Sequence, residues 1–282
     1  MSADTPPSAD LPHASLPEPW RALVDDAAVF PPGNAPLDDA LSAFEARQEE
    51  WFAELVGSFV VRDTDLGSVP ASIPVSVVLS TGAGAVEGVV RQAAKRGLRL
   101  AGLELALNDL QDLAGNVRRV DAAVRAVEVD APVFIEIPGP ATAAWLAAAD
   151  EVAACDHRLK LRLGNLDHDL VPDSGTVAAW IDAALDRETR FKATAGLHRA
   201  VRHDPEGGGA HGFLNVMAAT QALWDGGSAA EAAQVLEQRD GATLAATDLS
   251  AARRWFTSFG SCSVTEPLDD LTALGLLEMP QP

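Results

Sequence analysis

Short apolar strand patterns alternate with helix-spaced segments along most of this 282-residue chain, and several of the strand patterns carry a charge inside them. Alternation of this kind implies a parallel sheet covered by helices. The pattern predicts strands at Phe59–Arg62, Val75–Ser80, Leu100–Leu107, Val133–Ile137, Leu159–Leu163, Phe191–Ala195 and Phe256–Ser261. Helical spacing fills the gaps over Leu37–Leu55, Ala85–Arg96, Asn116–Val127, Ala141–Ala154, Thr176–Asp186 and Phe213–Gln238. Six charges fall within strands: Arg62, Glu104, Glu136, Lys160, Arg162 and Lys192. In an open sheet both faces meet helices, and an ion buried there costs roughly several kcal/mol. A barrel has an inner face that borders a site at its C-terminal mouth, so one geometry accounts for all six. The expected fold is therefore α/β, a (β/α)8 TIM-type barrel. Only seven strands are legible. The roughly sixty residues between Phe191–Ala195 and Phe256–Ser261 read as mostly helical, and Ala242–Ala245 is a poor strand candidate. The expected barrel thus has an irregular or missing seventh strand.

Residues 1–19 are rich in Pro, Ser, Ala and Asp and predict a disordered or loosely attached arm ahead of a single barrel domain, 20–282. The arm lacks the basic and apolar regions of a signal peptide. Pro31-Pro32-Gly33-Asn34 enforces a turn, and Gly207-Gly208-Gly209 marks a flexible loop tip. A hydrophobic content of 48% suits one large domain. The net charge of −20 disfavours nucleic acid and anionic membranes as partners. No apolar run reaches the roughly 20 residues of a membrane span. Two cysteines, Cys155 and Cys262, fit a reducing cytoplasm. A homo-oligomer is compatible with these features, and nothing in the sequence calls for a cofactor.

Lys160 and Arg162 share one face of their strand, and Lys192 and Thr194 share one face of theirs. With all six charges inward the local sum is +2, which favours a small anionic ligand, a carboxylate or phosphate. A cation about 6 Å from a lysine disfavours its protonated form by roughly 3 kcal/mol, about two pKa units. Burial acts in the same direction, and the glutamates oppose it. A lysine so perturbed becomes a base or an amine nucleophile. Lys192 is the first choice and Lys160, beside Arg162, the alternative. Glu136 is the candidate for proton exchange with substrate; Glu104 either does likewise or neutralises a lysine. His198, nearest the strand end in a loop that leads on to His203 and His211, is the histidine candidate for acid or base work. Arg62, Glu104, Arg162 and Thr194 are expected to bind substrate. Ser258, Gly260 and Ser261 are expected to help through backbone N–H groups or hydroxyls in the last strand. A metal held by Glu104, Glu136 and a histidine is a second reading, although the spacing matches no standard zinc motif. A third is an anion-binding barrel without turnover. Asp25 and Asp26 either cap the Pro-Pro turn or lie over the mouth. Cys262 reads as a packed small residue.

The stretches Asp25–Gly33, Phe191–His198 and Ser258–Ser263 resemble signature segments of an uncharacterised bacterial barrel family, a resemblance that implies a fold and no reaction. Lys192-Ala193-Thr194-Ala195-Gly196 also resembles the Lys-Thr-Ser-Thr-Gly strand of deoxyribose-phosphate aldolases, departing at Ala193 and Thr194. That likeness implies a pair of strand lysines, one forming a Schiff base and the other lowering its pKa. Lys192 and Lys160 match that pair. The expected activity is then aldolase-like or lyase-like, on a small anionic carbonyl compound.

Overall fold

A computed structural model of the chain describes residues 15–164, 171–204 and 209–280. Eight parallel strands close into a barrel in chain order. They are β1 (Val24–Asp26), β2 (Val56–Arg62), β3 (Pro74–Val78), β4 (Arg99–Ala106), β5 (Val133–Glu136), β6 (Arg158–Arg162), β7 (Phe191–Thr194) and β8 (Phe256–Ser261). The strand hidden from sequence is the first one, not the seventh. β1 is three residues long and two of them are aspartates, so it offers no apolar pattern. It pairs with β2 on one side and β8 on the other and thereby closes the barrel. The stretch between β7 and β8 is helical: α6 (Phe213–Trp224), α7 (Ala229–Leu236), α8 (Gly241–Ala245) and α9 (Ala252–Trp255).

The earlier helices are α1 (Leu37–Arg47), α2 (Val86–Arg96), α3 (Leu113–Arg125), α4 (Ala143–Ala154) and α5 (Ser174–Asp186); α10 (Thr265–Ala273) follows β8. The single helix expected over Phe213–Gln238 is broken because Gly226 takes a φ of 93°, which an L side chain rarely adopts. Ser228 then starts α7 with a capping box closed by Glu231. The helix expected over Leu37–Leu55 ends at Arg47, and a 3-10 turn at Ala53–Leu55 leads into β2.

Strand alternation splits the residues into two sets. Outward ones such as Phe59, Val61, Val75, Val77, Leu103, Leu159, Phe191 and Phe259 are buried under the helices. Phe59 meets Phe44 of α1 edge-on at 5.7 Å, and Phe259 stacks on Phe213 of α6 at 5.0 Å. This apolar jacket lets the inner face carry charge. Asp26 points outward and pairs with Arg47, pinning α1 to the first strand. Residues 1–14 of the expected arm and Gly207–Gly208 of the expected loop tip lie outside the described residues. The remainder of the arm packs down: Leu16 is buried, and its N–H donates to Glu54 at 2.8 Å.

Candidate active site

The inner face holds one connected ionic layer. From β7, Lys192 donates to Asp25 of β1 and to Glu104 of β4, both at 2.6 Å. The other oxygen of Glu104 lies 3.0 Å from Lys160 of β6. Lys160 is 3.7 Å from Glu136 of β5, and Glu136 accepts from Arg162 Nε at 2.7 Å. At the far end Asp25 accepts from Ser58 and Ser258, each at 2.6 Å, and Ser58 contacts Ser76 at 2.8 Å. The register explains the alignment, since Lys160 pairs with Lys192 and Arg162 with Thr194 between β6 and β7. Lys160 and Lys192 are therefore at one level, and Glu104 bridges them.

The electrostatics reverse the expectation for Lys192. From sequence, a lysine on the inner face is expected to have its pKa lowered where a nearby cation and burial outweigh the glutamates. The barrel instead interposes carboxylates between the cations. Burial disfavours the ammonium, but Asp25 and Glu104 outweigh it and hold the Lys192 pKa above the ordinary lysine value. Burial likewise pushes Glu104 up, and Lys192 and Lys160 overcome it, bringing its carboxyl to about 2. Asp25 also changes the sum. The six predicted charges give +2; with Arg62 drawn off over Phe30 and Asp25 added, the layer's three cations, Lys160, Arg162 and Lys192, are matched by three carboxylates, Asp25, Glu104 and Glu136, and its formal sum is zero.

Above the layer opens a cavity of about 1150 Å³, lined by Glu104, Lys160, Arg162, Lys192, Thr194, Gly196, His198, Gly260 and Cys262 together with Pro31 and Pro32. Its floor is ionic and its near wall apolar. Gly164 and Gly196 lie back to back in the loops after β6 and β7. A side chain on Gly164 would come within 2.7 Å of the Gly196 backbone, so that contact admits glycine.

The predicted residues fall into three groups. Lys192, Lys160, Glu104, Glu136 and Arg162 form the network, and Thr194 and Gly260 face each other on the cavity wall. His198 also lines the wall. Its Nδ1 lies 3.1 Å from Glu266 of α10 and 3.7 Å from Cys262 Sγ. The Cys262 contact, against burial and with help from Glu266, raises its pKa. The third group lies elsewhere. Ser258 serves Asp25 beneath the cavity, Ser261 turns away and accepts from the Ser263 N–H, and Arg62 stacks over Phe30 at 4.4 Å. His211 is buried, donating from Nε2 to the Pro172 carbonyl at 2.8 Å, and burial lowers its pKa. His203 is tied into a bridge with Ala210.

Glu104 and Glu136 face ammonium and guanidinium groups, and among the described residues no three His, Cys, Asp or Glu side chains group as metal ligands. The metal reading thus lacks its ligand set among those residues. Sequence reasoning missed Asp25 as an interior group, along with Ser58 and Ser76. The acidic pair Asp25-Asp26 was the available signal; only closure of β1 against β8 shows which of the two points inward.

No protein family and no curated protein matches this sequence. Among solved structures it is similar to a variant of the carboxyl transferase domain of Rhizobium etli pyruvate carboxylase with pyruvate. The identity is 11% and the TM-score 0.42, over 86% of this chain and 40% of that one. The same domain with pyruvate and biocytin gives 12% and 0.40, again over 86% of this chain and 40% of that one. A protein from Toxoplasma gondii assigned as a deoxyribose-phosphate aldolase is 12% identical with a TM-score of 0.45, over 92% of this chain and 94% of that one. The chain thus spans well under half the length of the carboxyl transferase chains. At these levels the likeness concerns the barrel and nothing finer. No described helix is long and apolar enough to cross a membrane.

Proposed function

We propose that this protein is a barrel enzyme acting on a small anionic carbonyl compound, with Lys160 as the reacting amine and Lys192 as a fixed charge. The observation that carries the reading is the shared Glu104. It binds Lys192 at 2.6 Å and Lys160 at 3.0 Å on the floor of the mouth cavity. Lys192 is gripped by two carboxylates at 2.6 Å, which keeps it protonated and makes it a poor nucleophile. Lys160 is held more loosely, since Glu136 stands 3.7 Å away and is engaged by Arg162.

Arg162 is half-exposed on the cavity wall and suits a carboxylate or phosphate through its planar fork. An anion arriving there competes with Glu136 for the guanidinium. Glu136, so released, takes the proton from Lys160. The free amine adds to the substrate carbonyl, the carbinolamine hydroxyl takes the proton back from Glu136 and leaves as water, and the resulting protonated imine withdraws electrons from the neighbouring bond. His198 on the wall exchanges the proton at that bond. Lys192 and Asp25 fix Glu104 without touching substrate.

The test is borohydride reduction in the presence of pyruvate, glyoxylate or glyceraldehyde 3-phosphate, read by peptide mass spectrometry. The expected adduct maps to Lys160 and disappears in Lys160→Met. An adduct on Lys192 with Lys160 unmodified would overturn the assignment, as would no adduct on either lysine with any of the three compounds. The grip on Lys192 favours a second reading, anion binding without turnover; it predicts thermal stabilisation by phosphate and no trapping.

A further inference from the structure

We propose that Cys262 and His198 form a second reactive pair on the cavity wall, which adds small conjugated carbonyl compounds, enals and enones, through the Cys262 sulfur. The pair is built from separate elements. Cys262 follows the last residue of β8, His198 lies in the loop after β7, and Glu266 comes from the first turn of α10. His198 Nδ1 donates to Glu266 Oε2 at 3.1 Å, which leaves the lone pair on Nε2, 4.0 Å from Cys262 Sγ, so the ring is oriented by a carboxylate while its free nitrogen lies beside a thiol. Gly33 leaves room for Cys262 on the other side. A side chain there would meet the Cys262 Cβ at 3.0 Å and the Ala28 carbonyl at 2.8 Å.

Access and chemistry agree. Cys262, His198 and Glu266 all line the open mouth cavity, with Ala27, Pro31 and Pro32 supplying an apolar surface for an uncharged carbon skeleton. His198 has a raised pKa, caused first by Cys262, then opposed by burial and supported by Glu266; His203 and Arg199 of the same loop and Asp270 of α10 are further charged or titratable groups on that wall. A more basic imidazole is a better acceptor for the thiol proton. The other cysteine is the internal contrast. Cys155 lies at the far end of the barrel, where burial, Asp121 and Glu151 raise its pKa.

The step balances without a further reactant. His198 takes the proton from sulfur on Nε2 while its Nδ1–H stays on Glu266, and the sulfur lone pair forms a C–S bond at the β-carbon of the conjugated system. The C=C π pair moves to give an enolate, which recovers the proton from the imidazolium. No group leaves and nothing is oxidised. The step does not involve Lys160, so failure of either proposal leaves the other standing.

The experiment uses the full chain with N-ethylmaleimide as the conjugated carbonyl probe and follows labelling at both cysteines by peptide mass spectrometry. At about pH 7 Cys262 should label at least about tenfold faster than Cys155. His198→Asn should lower the Cys262 rate about tenfold at that pH and leave it unchanged at about pH 9.5, where hydroxide removes the proton unaided. The rate at high pH also reports whether the variant keeps its fold, since unfolding would expose Cys155 and erase the difference between the two. Equal labelling of the two cysteines in the unaltered protein at about pH 7 would overturn the proposal, as would a folded His198→Asn variant whose Cys262 reacts at the original rate.

Discussion

The two ends of the barrel are built from the same kinds of residue and obey opposite electrostatics. At the mouth, pairing defeats burial: Glu104 is driven down to about 2 and Lys192 up, each against the desolvation that acts on it. At the base, a second cavity of about 730 Å³ opens between the starts of β5, β6 and β7, lined by Asp121, Cys155, His157, Arg158 and Arg190. There burial wins. It lowers His157 and Arg158 and raises Cys155, although Asp121 lies 3.3 Å from His157. Phe134 divides the two regimes, with Lys192 Nζ 5.2 Å from its ring centroid and the Arg158 guanidinium 5.5 Å from the same ring. At the mouth each buried ion has close, oppositely charged partners that offset its desolvation; at the base His157 Nε2 is buried with Asp121 at 3.3 Å and no hydrogen bond among the described residues, so desolvation is not offset.

That contrast is open to direct attack. The largest effect belongs to Glu104→Ala, which leaves two buried ammonium groups facing each other across an empty site. It should cost about 3–5 kcal/mol in urea unfolding, and a loss under about 1 kcal/mol would erase the distinction between the ends. Acid should reproduce part of this. Glu104 has a folded pKa of about 2, below its ordinary value of 4.5, so its contribution is complete above about 4.5 and is lost as pH falls toward 2. The loss amounts to about 3 kcal/mol. It should appear as a steep fall in stability that is shallower in Glu104→Gln. Lys192 has the opposite sign, its contribution being complete below the ordinary lysine range and lost only as pH rises through the elevated value.

Smaller effects sharpen the comparison. Arg162 is half-exposed, so Arg162→Gln should change stability by less than about 1 kcal/mol. It should also weaken phosphate binding, measured calorimetrically, by about tenfold. Smallest of all, Asp121→Asn at the base should alter stability by under about 1 kcal/mol, because its partner Arg125 is largely exposed. A value rivalling that of Glu104 would show that the base, too, depends on its ions.

Seven of the eight strands are legible because each has enough apolar residues to set a period of two. β1 is not, because Asp25 and Asp26 occupy two of its three positions. Its strand character comes from its neighbours β2 and β8, the second of which lies at the other end of the chain. The five network residues Lys160, Arg162, Lys192, Glu104 and Glu136 are legible for the converse reason, since a charge within an apolar strand must have somewhere to go. Their pKa directions are not, because sign depends on which side chains interleave, and Asp25 reaches Lys192 across 167 residues of chain. Ser258 and Ser261 illustrate a related limit. A pattern of small hydroxyl residues cannot say which hydroxyl serves the barrel floor and which turns away.

Closure of the barrel by so short a first strand carries a kinetic consequence. β1 has no apolar period to hold it in register, and its two hydrogen-bonding neighbours come from opposite ends of the fold. Until β8 is in place, Asp25 has neither the Ser258 hydroxyl nor a finished enclosure around Lys192. The last staves must therefore arrive before the first can lock, and assembly should end with a slow sealing step governed by long-range contacts rather than by any single helix.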